Sequence, residues 1–294
     1  AFTWRLAKQL KAQREVVRGK PENFNRPDYN FRLAGERSEA PNGSESVEIG
    51  VRSRGSSLDL IVAEAMILAN SAWGGWLAEL GLPGIYRSQA SLAPGIKVRM
   101  GTKALPHAGM GVAQYTWATS PLRRYVDLVN QWQIIACARH GRTAALAAPF
   151  KPKDAQLFSI ISGFESAYAA YNGFQNAIER FWTLRWLAQN SITELTATVM
   201  KEGLVRADDL PLVFKALGCE SLPRGSHVKV RITGLDEMTL DVHASLSERM
   251  DEPVAAEEAG EAEAEDEDLE AAAAPIALAI DVNDAEPADA TAQS

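Results

Sequence analysis

The sequence predicts an α+β protein in which a helix-rich section is followed by a small antiparallel β-barrel and a disordered acidic tail. Three observations support this. Apolar residues recur at helical spacing through much of residues 1–190. Short β-type runs separated by Gly or Asp follow, over residues 191–250. Residues 251–294 are rich in Ala, Glu and Asp and contain no aromatic residue. We therefore expect three units with these boundaries.

The N-terminal section begins with a helix. Leu6, Leu10 and Val17 fall on one stripe, and Gly19 ends the pattern. The remaining predicted elements before the central motif are a loop or short strand over 21–43, a half-buried strand over 46–52, a helix over 58–80 closed by Gly81, a short strand over 84–88 and a loop over 94–111.

A sharp helix start is predicted at Ser120, which would act as the N-cap, with Pro121 at the first helical position. This helix should run to about His140, where Gly141 ends it. Another long helix is predicted over residues 154–189. The barrel strands are predicted over residues 193–200, 204–207, 227–233 and 239–244.

Charge is distributed unevenly along the chain. The net charge is −8, with 30 basic and 38 acidic residues, but 15 of the acidic residues and none of the basic ones lie in residues 251–294. Residues 1–250 thus carry 30 basic against 23 acidic residues, a net charge of +7. A basic body suits a polyanionic partner.

Cysteine usage and hydropathy exclude several classes of protein. Cys137 and Cys219 are far apart and form no CxxC or Cys/His cluster, so a zinc site is not expected. Two separate cysteines favour a reduced, cytoplasmic protein over one with a disulfide. The apolar stretches are interrupted by charge, so we expect no membrane span. The chain opens with Ala-Phe-Thr-Trp and has no signal-peptide pattern, which favours a processed product or an excised fragment.

The most informative segment is residues 115–130, YTWATSPLRRYVDLVN. On the predicted helix, Arg123 and Arg124 lie in the first turn, where the helix dipole disfavours cations by roughly 0.3–1 kcal/mol. Free backbone N–H groups and guanidinium groups together form a good phosphate site. The alternative is that Arg123 pairs with Asp127 one turn on while Arg124 is simply solvated.

This segment resembles the signature of the ribonuclease II (RNB) family, in which a Tyr is followed by T-S-P-[IL]-R-[RK]-Y-x-D-[LM]-[IV]-N. The match is ungapped from Thr119 to Asn130. The resemblance implies that Arg123 acts catalytically on the scissile phosphate. It implies a supporting RNA contact or a structural contact for Arg124, and RNA contacts for two other residues of the motif, Tyr115 and Ser120.

Two further segments resemble elements of the same family. Residues 63–70 (AEAMILAN) are similar to its E-E-x-M-x-x-A-N helix, with Ala63 in place of the first Glu, and residues 84–87 (GIYR) to the strand that follows it. The resemblance implies a catalytic role for Glu64; the alternative is a buried hydrogen-bonding strut. Ile178-Glu179-Arg180 resembles an A-E-R element, which implies that Glu179 orients RNA; otherwise Glu179 belongs to a charged helix face.

Residues 193–246 resemble an S1-type OB barrel, a fold that binds single strands in a basic groove. Lys201, Arg206, Lys229 and Arg231 would supply its positive charge. Taken alone, each of these side chains is expected to be solvated rather than to contact RNA. We expect the groove as a whole to bind RNA.

The family resemblance implies a hydrolase that degrades single-stranded RNA processively from the 3′ end to nucleoside 5′-monophosphates. It also implies Mg²⁺, which relatives hold with a D-x5-D-x-D-D cluster; residues 1–250 contain no such cluster, so no metal ligand is predicted. The expected partners are single-stranded RNA and a missing N-terminal RNB segment, with no DNA and no membrane. The alternatives are a non-catalytic RNA-binding module, one half of a split ribonuclease, or an adaptor whose acidic tail docks or shields the groove.

Overall fold

The computed structural model describes residues 2–22, 28–34, 45–52, 56–93 and 96–250. The predicted acidic tail, 251–294, lies outside these ranges, as do residues 23–27 and 35–43 of the loop or short strand predicted over 21–43. The helices are α1 (Phe2–Arg18), α2 (Ser57–Glu79), α3 (Tyr125–His140), α4 (Ala144–Ala147) and α5 (Ala155–Gln189). The strands are β1 (Asp28–Ala34), β2 (Ser46–Arg52), β3 (Tyr86–Ser88), β4 (Arg99–Gly101), β5 (Glu194–Val199), β6 (Leu204–Ala207), β7 (Val213–Leu217), β8 (His227–Asp236) and β9 (Asp241–Arg249).

The α+β fold class is confirmed, and the long helices lie close to where the sequence places them. α2 begins with a capping box, in which the Ser56 hydroxyl accepts a hydrogen bond from the Asp59 backbone N–H while the Asp59 carboxylate accepts one from that of Ser56. The Asp154 carboxylate caps α5 by accepting from the backbone N–H of Gln156. The predicted loop over 94–111 contains strand β4, which pairs with β3.

The predicted start of α3 is wrong. Residues 121–123 form a turn rather than helix, and α3 begins at Tyr125 with Arg124 in the N-cap position. The backbone N–H groups of Arg123 and Arg124 both donate to the carbonyl oxygen of Ser120, at 3.2 and 3.1 Å, which closes this turn. Ser120 therefore ends the preceding loop and does not cap the helix.

The helical section is held together by two apolar clusters. One lies beneath the 115–124 segment and includes Ile85, Trp117, Val129 and Leu157. The other lies between α2 and α3 and includes Leu77. By length and composition alone α2 is apolar enough to cross a membrane, a property that core helices share. Of its most apolar stretch, 28% is buried inside the protein.

The C-terminal strands close into a barrel with the order β5-β6-β7-β9-β8. Every pair is antiparallel except β7 with β9. A closed five-stranded barrel with this connectivity is of the OB type. The end of α5 seals it, since Leu184 and Leu187 belong to the same apolar cluster as the barrel interior. Arg180 ties α5 to the barrel by donating hydrogen bonds to the carbonyl oxygens of Leu240 and Val213, each at 2.6 Å.

Candidate functional site

Residues 115–124, which we call the signature loop, are held at their N-terminal half by a buried amide from α2. The Asn70 side chain is 1% exposed. Its Oδ1 accepts a hydrogen bond from the backbone N–H of Ala118 at 3.0 Å, and its Nδ2 donates to the Tyr115 hydroxyl and to Oγ1 of Thr119, each at 3.3 Å. The Asn of the 63–70 segment and the 115–130 segment thus meet in space.

A second buried amide, from α3, holds the loop against the strand β3 region. Asn130 is fully buried. Its Nδ2 donates to the carbonyl oxygens of Trp117 and Ile85, at 2.8 and 2.9 Å, and its Oδ1 accepts from the Ile85 backbone N–H at 2.7 Å. These contacts give the last residue of the 115–130 segment a structural role, because buried polar groups must be paired.

The C-terminal half of the loop is fixed by Asp127, whose side chain is 0% exposed. Its Oδ1 accepts a hydrogen bond from the Ser120 backbone N–H at 2.8 Å. Both of its oxygens also accept from Arg124, with Nε and Nη2 each at 2.7 Å. The bidentate pair determines where the guanidinium of Arg124 lies.

Arg124 also stacks on an aromatic ring. Its guanidinium carbon lies 4.0 Å from the centroid of Trp117, and that of Arg87 lies 4.2 Å from the same centroid. The Arg124 guanidinium therefore has a structural role, because its N–H groups are paired with Asp127 and its plane is stacked on Trp117. The alternative in which Arg124 is solvated is wrong.

Arg123 differs from its neighbour in every one of these respects. Its side chain is exposed. Across the described ranges it makes no hydrogen bond, ion pair or ring contact, and Asp127 pairs with Arg124 instead. The alternative in which Arg123 pairs with Asp127 is therefore wrong. The turn at residues 121–123 presents this guanidinium to solvent beside a loop held rigidly from below.

Glu64 lies in the core, with a side chain that is 1% exposed. Its two oxygens accept hydrogen bonds from Arg14 of α1, at 3.0 Å from Nε and 2.5 Å from Nη2. Arg14 also binds Glu22 and donates to the carbonyl oxygen of Met110. Burial acts to lower the pKa of Arg14, but its hydrogen bonds with the two glutamates raise it overall. These contacts are those of a strut that joins α1 to α2, and a catalytic role for Glu64 stays a prediction.

Tyr115 is buried beneath the loop, 6% exposed, with its ring packed edge-on against His107 at 5.7 Å. Burial, together with the nearby charge of Arg87, lowers the pKa of His107 to about 4. The RNA contacts predicted for Tyr115 and Ser120 stay predictions. In the structure, Tyr115 and the Ser120 backbone support the loop.

The predicted RNA contacts on α5 and the barrel are separate from the loop. Glu179 is half-buried on α5 and accepts a hydrogen bond from Gln175 at 2.9 Å. On the barrel, Lys229 and Arg231 both bind Glu194, at 2.6 and 3.2 Å. Hydrogen bonds from Lys229 and Arg231 lower the pKa of Glu194, and the bond with Glu194 raises that of Lys229.

Lys201 and Arg206 lie on a different part of the barrel, in the β5–β6 turn and on β6. In OB folds the binding face is formed by the second and third strands and by the loop between the first and second strands. Here those elements are β6, β7 and residues 200–203. Their RNA contacts stay predictions.

Acidic and metal-ligating side chains do not cluster in the part of the chain that the structure describes. No group of three or more His, Cys, Asp or Glu side chains there could hold a metal ion. Glu64 is engaged with Arg14, and Asp127 with Arg124. The described residues therefore do not fit a Mg²⁺ site. Cys137 and Cys219 are buried and free, and burial raises the pKa of both thiols.

Sequence reasoning missed the residues that support the loop. Asn70 and Asn130 were included in the motifs without a role, and Trp117 and Arg87 were not singled out as site residues. A buried Asn on an otherwise apolar helix face, as at position 70, is the signal that could have found the first of them.

The comparisons with known proteins agree with this site. The RNB domain family model matches residues 95–140, which contain the whole signature loop and α3. An uncharacterized ribonuclease of Synechocystis sp. is 30% identical over 204 residues, covering 61% of this chain and 29% of the relative. The human 3′-5′ exoribonuclease HELZ2 is 53% identical over 38 residues, which is 13% of this chain and 1% of that protein.

Solved structures share the fold at low identity. RNase R of Mycoplasma genitalium, in complex with ribose-methylated single-stranded RNA, has a TM-score of 0.62 and 14% identity over 83% of this chain and 49% of that one. The Dss1 exoribonuclease of Candida glabrata, as an active-site mutant, has a TM-score of 0.59 and 18% identity over 83% of this chain and 34% of that one.

A helical section with this loop, followed by an OB-type barrel, is the fold that the chain shares with RNase R and Dss1 over 83% of its length. Within the chain, it is residues 95–140 that match the RNB domain family model. The chain spans only 29% of the length of the Synechocystis relative.

Proposed function

We propose that the chain is the RNA-holding C-terminal part of an RNB-type 3′→5′ exoribonuclease, in which Arg123 binds the phosphate at which the backbone is cleaved. The substrate would be single-stranded RNA, released processively as nucleoside 5′-monophosphates. The names of the relatives support this proposal: the human one is a 3′-5′ exoribonuclease and the Mycoplasma one was solved with RNA.

One observation carries the proposal: the two adjacent arginines of the signature loop are in opposite states. Arg124 is bound to a fully buried carboxylate and stacked on Trp117. Arg123 is exposed, with no partner in the described part of the chain. A guanidinium without an internal partner keeps all of its donors for a ligand, and its planar fork matches a phosphate.

The chemistry expected of Arg123 is electrostatic. Phosphodiester hydrolysis builds negative charge on the phosphoryl oxygens in the transition state, and a cation fixed at that place stabilises this state more than the bound substrate. The rigid support of the loop by Asn70, Asn130 and Asp127 provides the fixed position. Under this proposal Mg²⁺ is a cofactor of the nuclease and is held by residues outside the described ranges.

The barrel would hold the RNA upstream of the loop. The face formed by β6, β7 and residues 200–203 carries Lys201 and Arg206 and corresponds to the binding face of OB folds. Glu194 neutralises part of the charge of Lys229 and Arg231. We propose a cytoplasmic location on the basis of the two free cysteines.

The decisive variant is Arg123→Ala in the active nuclease of which this segment is proposed to be a part. Cleavage of labelled single-stranded RNA should slow by about 100-fold or more, because the variant no longer stabilises the transition state at this phosphate. RNA affinity should fall only a few-fold, as expected for one phosphate-binding side chain. Single-turnover cleavage and equilibrium binding measure the two effects separately.

Arg142→Ala is the matched control, since Arg142 is also exposed and lies outside the signature loop. It should change neither quantity. Equal losses of cleavage and affinity in Arg123→Ala would reject the catalytic role and leave Arg123 as a simple binding residue.

A second candidate function is RNA binding without catalysis, by the chain alone or as one half of a split ribonuclease. The specific observation in its favour is that the described residues do not fit a metal site. Incubation of the purified chain with end-labelled single-stranded RNA and Mg²⁺ separates the two functions. Release of mononucleotides would identify a nuclease, and retention of intact RNA would identify a binding module.

A further inference from the structure

Two arginines contact the ring of Trp117. The guanidinium carbons of Arg87 and Arg124 are 4.2 and 4.0 Å from its ring centroid. Both guanidinium groups are thus in cation–π contact with the same indole. The Trp117 side chain is well covered, with 7% of the residue exposed.

The edges of the same ring are also packed. Phe164 and Tyr168 of α5 meet it edge-on, with centroid distances of 6.3 and 6.1 Å. The carbonyl oxygen of Trp117 accepts a hydrogen bond from Asn130 at 2.8 Å. Because its π system, edges and backbone are all engaged, the ring has one available orientation.

The arginine that Trp117 fixes is directly bonded to Arg123 in the chain. Arg124 is held on its face by the indole and at its fork by Asp127. The turn at residues 121–123 is closed on the Ser120 carbonyl, and the Ser120 N–H is bound to the same Asp127. The backbone is therefore fixed on both sides of Arg123, at Ser120 and at Arg124, and Trp117 contributes to the second of these contacts.

We propose that Trp117 is a positioning residue for Arg123, and that it acts through Arg124. This inference rests on the function proposed above and goes beyond it by assigning the residue that aims the phosphate-binding guanidinium. Trp117 does not touch RNA in this scheme. It keeps Arg124 stacked while Asp127 holds the guanidinium fork, and the loss of the π face loosens Arg124 and allows the turn to adopt other conformations.

A purely structural role makes a different demand on the side chain. A filler of the apolar cluster needs volume, which Leu or Met supplies in part. A platform for two guanidinium groups needs an aromatic face, which Phe retains and Leu lacks. The two roles are therefore separable by substitution.

The experiment uses the full chain and measures its affinity for a labelled oligouridylate at several salt concentrations. The slope of log affinity against log salt counts the phosphates that the protein neutralises, and on a single strand it falls by about 0.7 when one fewer phosphate is neutralised. Arg123→Ala should lower the slope by that amount. Trp117→Leu should lower it equally, the double variant should lower it no further, and Trp117→Phe should keep nearly the wild-type slope.

Phe150→Leu is the control for destabilisation. Phe150 belongs to the same apolar cluster and is 5% exposed, and its backbone hydrogen bonds with Gln133 survive the substitution. It should lower the melting temperature much as Trp117→Leu does and leave the salt slope unchanged. If Trp117→Leu does not fold, Trp117→Met removes the same π face with a more adaptable chain and carries the same expectation.

The outcomes distinguish the two proposals. A wild-type slope in Trp117→Leu, or in the Met variant, together with a lowered slope in Arg123→Ala would overturn the positioning role and leave the phosphate site intact. A wild-type slope in Arg123→Ala would overturn the phosphate site and the positioning role with it. A lowered slope in Phe150→Leu would show that general loosening is the cause, and would also overturn the positioning role.

Discussion

The signature loop and the barrel each place two basic side chains near one carboxylate, with opposite results. In the loop, Asp127 binds Arg124 and leaves Arg123 exposed. In the barrel, Glu194 binds both Lys229 and Arg231. A count of basic residues would treat the two places alike. The comparison shows that the capacity to bind an anion depends on how many cations a carboxylate can reach.

Burial separates the two places further. The Asp127 side chain is 0% exposed and that of Arg124 is 11% exposed. The Glu194 side chain is 32% exposed, and the side chains of its partners are 39% and 61% exposed. Water screens the ion pairs of the barrel and makes them weak, whereas the ion pair of the loop replaces the hydration of two desolvated charges.

The largest expected effect follows from removing the buried carboxylate. Asp127→Ala should lower the free energy of unfolding by about 3–5 kcal/mol, because it leaves the Arg124 guanidinium unpaired. The Ser120 N–H also loses its acceptor. Urea denaturation followed by circular dichroism measures the change.

Asp154→Ala provides the scale for that measurement. The half-buried Asp154 caps α5 through a solvent-exposed hydrogen bond, and its removal should cost about 1 kcal/mol. If Asp127→Ala cost no more than Asp154→Ala, the ion pair of the loop would be no stronger than an exposed one, and the contrast between the two regions would fail.

The next effect concerns pH. The folded pKa of His107, about 4, lies below the ordinary value of 6.5, because the ring is buried and lies near Arg87. The unfolded state therefore takes up the proton first as pH falls. The stability contributed by neutral His107 is complete above pH 6.5 and is lost progressively down to about pH 4, by at most about 3 kcal/mol.

His107→Gln should flatten this part of the pH profile of stability relative to the wild type. Both proteins contain the same carboxylates, so the difference between the two profiles reports His107. The two barrel histidines, His227 and His243, are exposed. At pH 5 the helical section around His107 should therefore open more readily than the barrel, which hydrogen exchange measures as faster exchange of its backbone amides. Identical pH profiles for the two proteins would contradict the assignment.

The smallest effect is a gain. Glu194→Ala should tighten binding of single-stranded RNA by about two- to fivefold at low salt, because Lys229 and Arg231 recover their charge for phosphates. Glu79→Ala makes the same change of net charge at the exposed end of α2 and should leave affinity nearly unchanged. Unchanged affinity in Glu194→Ala would show that this side of the barrel does not face RNA.

Much of the fold could be predicted from local patterns. The end of α2 is marked by Gly81, which has a φ of +68°, and the start of α5 by Asp154, which caps it. β6 lies where its alternating pattern places it. β7 was not predicted as a separate strand; it pairs antiparallel with the neighbouring β6 and parallel with the distant β9, and local patterns do not reveal the second pairing.

The start of α3 shows where local patterns fail. Ser120 followed by Pro121 is a good helix-start signal, but the buried Asp127 binds the Ser120 N–H and pulls the segment into a turn. Both arginines stand at helical spacing from Asp127, at i−3 and i−4, so sequence could not decide which one is paired. The turn decides it, because Arg123 is no longer on the helix.

The long helix α5 fixes the distance between the two regions. Tyr168 packs against Trp117, and Arg180 is bound to the carbonyl oxygens of Val213 and Leu240 in the barrel. Residues 169–176, most of the length between these anchors, are exposed. A single residue inserted there would turn one anchor by about 100° and displace it by about 1.5 Å relative to the other. The number of residues in α5 between the two anchors thus determines both the distance and the relative rotation of the signature loop and the barrel.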